Sequence, residues 1–127
     1  MQDRPLSPHL QVYKPQLTSM LSIVHRSTGV FLSLAAIYVV YWIYALSSGP
    51  IAFAGAKAIV STIFGKLFLL AVVFSTFYHL ANGLRHLLWD TGHGLELTSA
   101  YRTGWMVVFF SLFATGVCGA VIFRSAL

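Results

Sequence analysis

The sequence predicts an all-α integral membrane protein, three transmembrane helices preceded by an N-terminal cytoplasmic segment. Three observations carry that prediction. Of 127 residues, 57% are hydrophobic and only 9% are charged, against about 25% charged in an ordinary soluble domain. The charges bracket long apolar runs instead of mixing into them. Each run reaches the roughly 17 to 25 residues that a helix needs to cross the hydrocarbon layer. Continuous runs of that length mean helices, because an isolated strand leaves its backbone groups unpaired in lipid.

The opening stretch, "MQDRPLSPHLQVYKPQ", holds three prolines and no apolar core. It does not read as a signal peptide and is expected to lie along the inner surface against a partner subunit. The first span is predicted at 22–47, since no Lys, Arg, Asp, Glu or His falls between Arg26 and Lys57 and "SSGP" at 47–50 is a turn signal. The second is predicted at 58–89, where His79 and Asn82 are the strongly polar side chains between Lys66 and Arg85. The third is predicted at 103–125, between Arg102 and Arg124. Residues 1–127 thus form a single membrane-anchor domain.

Charge and cysteine content narrow the function. Eight Lys/Arg against three acidic residues give a net charge of +5, but the basic residues sit at span edges, where they meet headgroups or anionic cofactors. No basic cluster is interleaved with exposed aromatics, so nucleic-acid binding is set aside. The single Cys118 excludes an intrachain disulfide and reads as a small buried apolar side chain, and C-x-x-C-H, the covalent haem attachment motif, is absent. A small transporter is disfavoured, because no span carries a carboxylate and there is no inverted repeat. Arg4, Lys14, Arg26, Arg85 and Arg102 fall on one side, and Lys57, Lys66 and Arg124 on the other. That bias places the N-terminus inside. Trp42, Trp89 and Trp105 lie toward span ends, as interfacial aromatics do, and the last two also suit a partner contact.

His79 is the residue that most needs explaining, because an ionisable group at membrane depth is costly and is a functional candidate by default. At 3.6 residues per turn, Ser75, His79, Gly83 and His86 share one helix face. An axial imidazole inside the membrane, a glycine one turn away and polar groups nearer the water are the order that a b-type haem wants. Gly83 equally suits close helix approach, and His79 a hydrogen bond to a neighbouring helix. Arg85 stands about 100° round the helix from His86, which makes lipid phosphate its alternative partner. A six-coordinate haem needs a second axial ligand. His25 sits at the membrane edge, His9 and His93 sit in polar segments, and none is expected at the depth of His79 on another helix. The second ligand is therefore expected from another polypeptide.

In "SIVHRSTG", Ser22 and Arg26 are spaced i, i+4 and share a face, with His25 beside them. A hydroxyl beside a guanidinium at the hydrocarbon boundary suits the carbonyl head of a quinone; the pair equally fits an ordinary helix start with Arg26 snorkelling and Ser22 near a cap. Asp90, at the water-facing end of the second span, suits a proton relay or, more simply, a cap or ion pair.

With these residues assembled, the chain resembles the cytochrome b anchor (C) subunits of succinate dehydrogenase, respiratory complex II. "RPLSPHLQVYKPQ", "SIVHRSTG" and "HLANGLRHLLWDTG" carry the resemblance, in that order along nearly the whole chain. It implies that His79 is a haem b axial ligand, with the other supplied by a small membrane-anchor subunit. It also implies His25, Arg26 and His86 near the haem propionates, and Ser22 and Arg26 at a quinone site beside the iron–sulfur subunit. Electrons from succinate would arrive through that subunit and the flavoprotein subunit. The membrane would be the bacterial inner (cytoplasmic) membrane, or the mitochondrial inner membrane in a eukaryote. The alternatives are the anchor of a fumarate reductase and a haem-free structural anchor.

Overall fold

A computed structural model describes residues 15–124; Arg4, His9, Lys14 and the far end of the third predicted span, at 125, lie outside the described residues. Four helices follow one another: α1 (Leu17–Ser47), α2 (Pro50–Ser61), α3 (Ile63–Asp90) and α4 (Leu97–Arg124). α1, α3 and α4 are long and apolar enough to cross a membrane. At 1.5 Å per residue, a 28-residue helix is about 42 Å long and clears a hydrocarbon core of about 30 Å.

The boundaries differ from the sequence prediction in three places. α1 begins at Leu17, with Gln16 extended just before it, so Ser22 lies more than a turn inside the helix and is not its cap. The run predicted as a single helix from 58 is broken at Thr62, which is extended, and its side chain accepts a hydrogen bond from the Gly65 N–H at 3.0 Å. Gly65 makes this break possible, since a Cβ there would collide with the Ile59 carbonyl. Residues 58–61 therefore belong to α2, whose 12 residues are too few to span. α4 starts at Leu97, a turn and a half before the predicted 103. The turn at 47–50 is as expected: Gly49 has φ +106°, a left-handed value that favours glycine, and Pro50 opens α2.

Burial runs opposite to that of a soluble protein. Phe113 is 74% exposed, while Asn82 and Ser111 are fully buried. With lipid outside, apolar side chains gain nothing by hiding, and small or hydrogen-bonding residues take the helix interfaces. On α4, Ala100, Gly104, Val107, Ser111, Thr115 and Gly119 form a buried seam. A Cβ on Gly104 would lie 2.7 Å from Leu21 Cδ1, and one on Gly119 would lie 3.1 Å from Leu70 Cδ1. Leu21, Tyr78 and Val107 form the apolar centre joining α1, α3 and α4, and the Tyr78 hydroxyl donates to the Leu21 carbonyl at 2.9 Å.

Candidate functional site

α1 and α3 bring Ser22, His25, Arg26, Gly83, His86 and Leu87 around one cavity of about 530 Å³. Ser22, His25 and Arg26 come from consecutive turns of α1, and Gly83 and His86 from the facing stripe of α3. The helical spacing read from the sequence is what lets both sets converge.

His79 lies one turn deeper. Its ring stacks on that of His25, centroids 4.0 Å apart and planes 11° from parallel. Its Nδ1 is 3.1 Å from the His25 carbonyl and 3.3 Å from Thr28 Oγ1. The Thr28 hydroxyl donates to the same carbonyl at 2.8 Å, so the carbonyl and the hydroxyl oxygen are both acceptors for an Nδ1–H. That tautomer leaves the lone pair on Nε2, the arrangement by which a second partner orients a metal-ligating histidine. Nε2 has no hydrogen bond among the described residues. Gly29 makes the position possible: a Cβ there would stand 2.9 Å from His79 Cε1.

One expectation needs correction here. A second histidine does share the depth of His79, namely His25, because α1 starts at Leu17, earlier than predicted. Parallel rings at 4.0 Å cannot both point a nitrogen at a metal between them, so this pair is not an axial pair. Gly83 faces His25, whose Cε1 would be 3.7 Å from a Cβ there, in keeping with the close helix approach that a glycine allows. His25 Nδ1 is buried without a partner among the described residues, and the His86 ring lies 5.5 Å from that of His25. Among the described residues no cluster of three His, Cys, Asp or Glu could hold a bare metal ion.

Arg85 does not line this cavity and is turned into the bundle. It is 4% exposed, its Nε donates to Thr103 Oγ1 at 3.1 Å, Nη1 to Asn82 Oδ1 at 3.2 Å and Nη2 to the Ala100 carbonyl at 2.8 Å. The guanidinium also lies over the Trp89 ring at 4.0 Å, a cation–π contact. It fastens α3 to the start of α4. Asp90 is exposed at the end of α3. Thr28 and Gly29 are the contributors that residue-by-residue reading missed. Both lie inside "SIVHRSTG", and their placement on the turn after His25 was the available signal.

A family model described as "Succinate dehydrogenase/Fumarate reductase transmembrane subunit" matches residues 1–118. The chain belongs to this family. It is 43% identical over 114 residues to a succinate dehydrogenase cytochrome b556 subunit of Rickettsia bellii, covering 88% of this chain and 87% of the relative. The b556 subunit of Paracoccus denitrificans is 41% identical over 101 residues, covering 80% of this chain and 78% of its own. The b560 subunit of Marchantia polymorpha is 38% identical over 117 residues, covering 87% of this chain and 85% of its own. The chain is thus a membrane-anchor subunit of the succinate dehydrogenase type.

Proposed function

We propose that the chain is the cytochrome b anchor of a succinate dehydrogenase in a bacterial or mitochondrial inner membrane. In this reading His79 supplies one axial ligand to a haem b, and Ser22 and Arg26 form part of a quinone-reduction site. The observation that carries it is the His79 imidazole, tethered through Nδ1 to α1, with Nε2 making no hydrogen bond among the described residues. The residues fit the group: Gly29 leaves room for the ring, the unpartnered His25 Nδ1 can donate to a propionate, and Arg26 and His86 border the same cavity. When bound, haem supplies a one-electron carrier within the membrane. The stacked geometry of His25 supports a second axial ligand from another polypeptide, the small membrane-anchor subunit.

At the quinone site, Arg26 and the Ser22 hydroxyl donate to a carbonyl oxygen and stabilise the negative charge that grows there on reduction. Two electrons, delivered from succinate through the flavoprotein and iron–sulfur subunits, and two protons from water or nearby titratable groups convert quinone to quinol. Those subunits dock at the membrane face carrying Ser22, Arg26 and His86. The N-terminus then lies on the cytoplasmic or matrix side, in keeping with the charge bias. The anchor of a fumarate reductase would run the same chemistry in the opposite net direction. The bridge from His79 to α1 also suits a haem-free structural anchor.

A dithionite-reduced minus oxidised spectrum of the purified complex separates these readings. The wild type is expected to show a sharp low-spin b-type signal, and His79→Ala to lose it or turn it high-spin. Absence of the signal from the wild type, or its persistence in the variant, overturns the assignment. Arg26→Ala is expected to lower quinone reduction about 100-fold while dye-coupled succinate oxidation by the peripheral subunits continues.

A further inference from the structure

The end of the bundle away from the histidines holds a larger cavity, about 860 Å³, which the proposed electron path does not use. Tyr38 and Trp42 of α1, Lys57 and Val60 of α2, and Lys66 and Leu69 of α3 are among its walls. It exists because of the break at Thr62. Trp42 packs edge-on against Phe53, with centroids 4.9 Å apart, and fastens the first half of α2 to α1. Phe68 packs on Tyr38 and Phe31 and fastens α3 to the same helix further along. The space between remains open.

Its chemistry is that of an amphiphile site with a cationic rim. The deeper walls are apolar, and the two charged side chains in the lining are both lysines. Lys66 stands in the first turns of α3, where the positive end of the helix dipole disfavours a cation, and no acidic residue lies in that helix's first turn. Of the three acidic residues, Asp90 and Glu96 sit at the far end of the bundle and Asp3 lies outside the described residues. Lys66 Nζ lies 5.8 Å from the centre of the Phe123 ring, which leaves its positive charge uncancelled. An anion placed between the two lysines would relieve the dipole clash at Lys66 and pair with both cations. Tyr38 and Trp42 are the aromatic types found at headgroup level.

We propose that this cavity binds one anionic phospholipid of the leaflet opposite the histidine cluster. Its phosphate sits between Lys57 and Lys66, and an acyl chain lies along Val60 and Leu69. Two lysines distinguish this lipid from a zwitterionic one, because a choline headgroup brings its own cation to the phosphate.

The test is native mass spectrometry of the delipidated complex titrated with phosphatidylglycerol, with phosphatidylcholine and with inorganic phosphate. Wild type is expected to retain one more phosphatidylglycerol than the Lys57→Gln/Lys66→Gln double variant. At about fivefold per lysine, the double variant binds that lipid roughly 25-fold more weakly. Val60→Trp, which fills the apolar part and leaves both lysines, is expected to lose the same lipid. Phosphatidylcholine should show no difference between wild type and double variant, and inorganic phosphate should give no adduct. Equal retention of phosphatidylglycerol by wild type and double variant overturns the proposal. So does an inorganic phosphate adduct that survives in Val60→Trp, which would mark a free-phosphate site.

Discussion

The two ends of the bundle use the same helices in opposite ways. At the histidine end, side chains tie helix to helix: His79 to the His25 carbonyl, Tyr78 to the Leu21 carbonyl, and Arg85 to Thr103 and Ala100. At the lysine end the hydroxyls of Ser47, Ser48 and Ser61 turn back onto their own helix, and that of Thr62 joins the end of α2 to the start of α3, donating to the Ile59 carbonyl and accepting from the Gly65 N–H. Tyr38 donates across to the Ala56 carbonyl there at a long 3.5 Å. A polar group in lipid must find a partner inside the protein. Where that partner is another helix, the group fixes relative helix position; where it is the previous turn, it fixes nothing beyond its own helix. The histidine end is therefore held rigidly enough to position a group, and the lysine end keeps room to take one in.

The comparison can be broken by substitutions made in pairs. The largest effect is expected at Arg85. Arg85→Ala removes three bonds and leaves Asn82 buried with neither end of its amide satisfied, since its Nδ2 is already without a partner. A loss of about 3 kcal/mol is expected, read as an earlier midpoint for loss of helical circular dichroism in a dodecyl sulfate titration of the complex. Lys57→Ala, at an exposed position, should stay within about 0.5 kcal/mol of wild type in the same delipidated preparation. A comparable loss at Lys57 would erase the contrast between the two ends.

Glycines give the next test, with effects of opposite sign. Gly29→Ala places a methyl 2.9 Å from His79 Cε1. Overpacking of that kind costs about 1–3 kcal/mol and should turn part of the low-spin signal high-spin, because the ring must shift. Gly55→Ala meets nothing within 4 Å and should stabilise α2 by up to about 1 kcal/mol through helix propensity alone. An unshifted spectrum in Gly29→Ala would show that the ring has slack.

The smallest effects sharpen the picture. Tyr78→Phe removes a buried 2.9 Å bond between helices and should cost about 1 kcal/mol. Tyr38→Phe removes the 3.5 Å contact and should cost less than about 0.5 kcal/mol. Equal losses, measured in the same titration, would mean that both ends are tied alike.

Much of this was legible in the sequence. Apolar run length determined the three spans, because the hydrocarbon thickness allows few other lengths. Helical spacing determined that Ser22 and Arg26 share a face, and that His79, Gly83 and His86 share another. The turn at Ser47–Pro50 followed from Gly49 and Pro50 themselves. Other features depended on contacts that periodicity does not report. The break at Thr62 needs Gly65 to meet the Ile59 carbonyl. The fate of Arg85 was set by Thr103 and Ala100, fifteen or more residues away, which took its donors before lipid could. The stacking of His25 on His79 required α1 to begin at Leu17 and Gly29 to leave a gap. Periodicity specifies which residues share a face. Only the packing of one helix on another decides which partner that face meets.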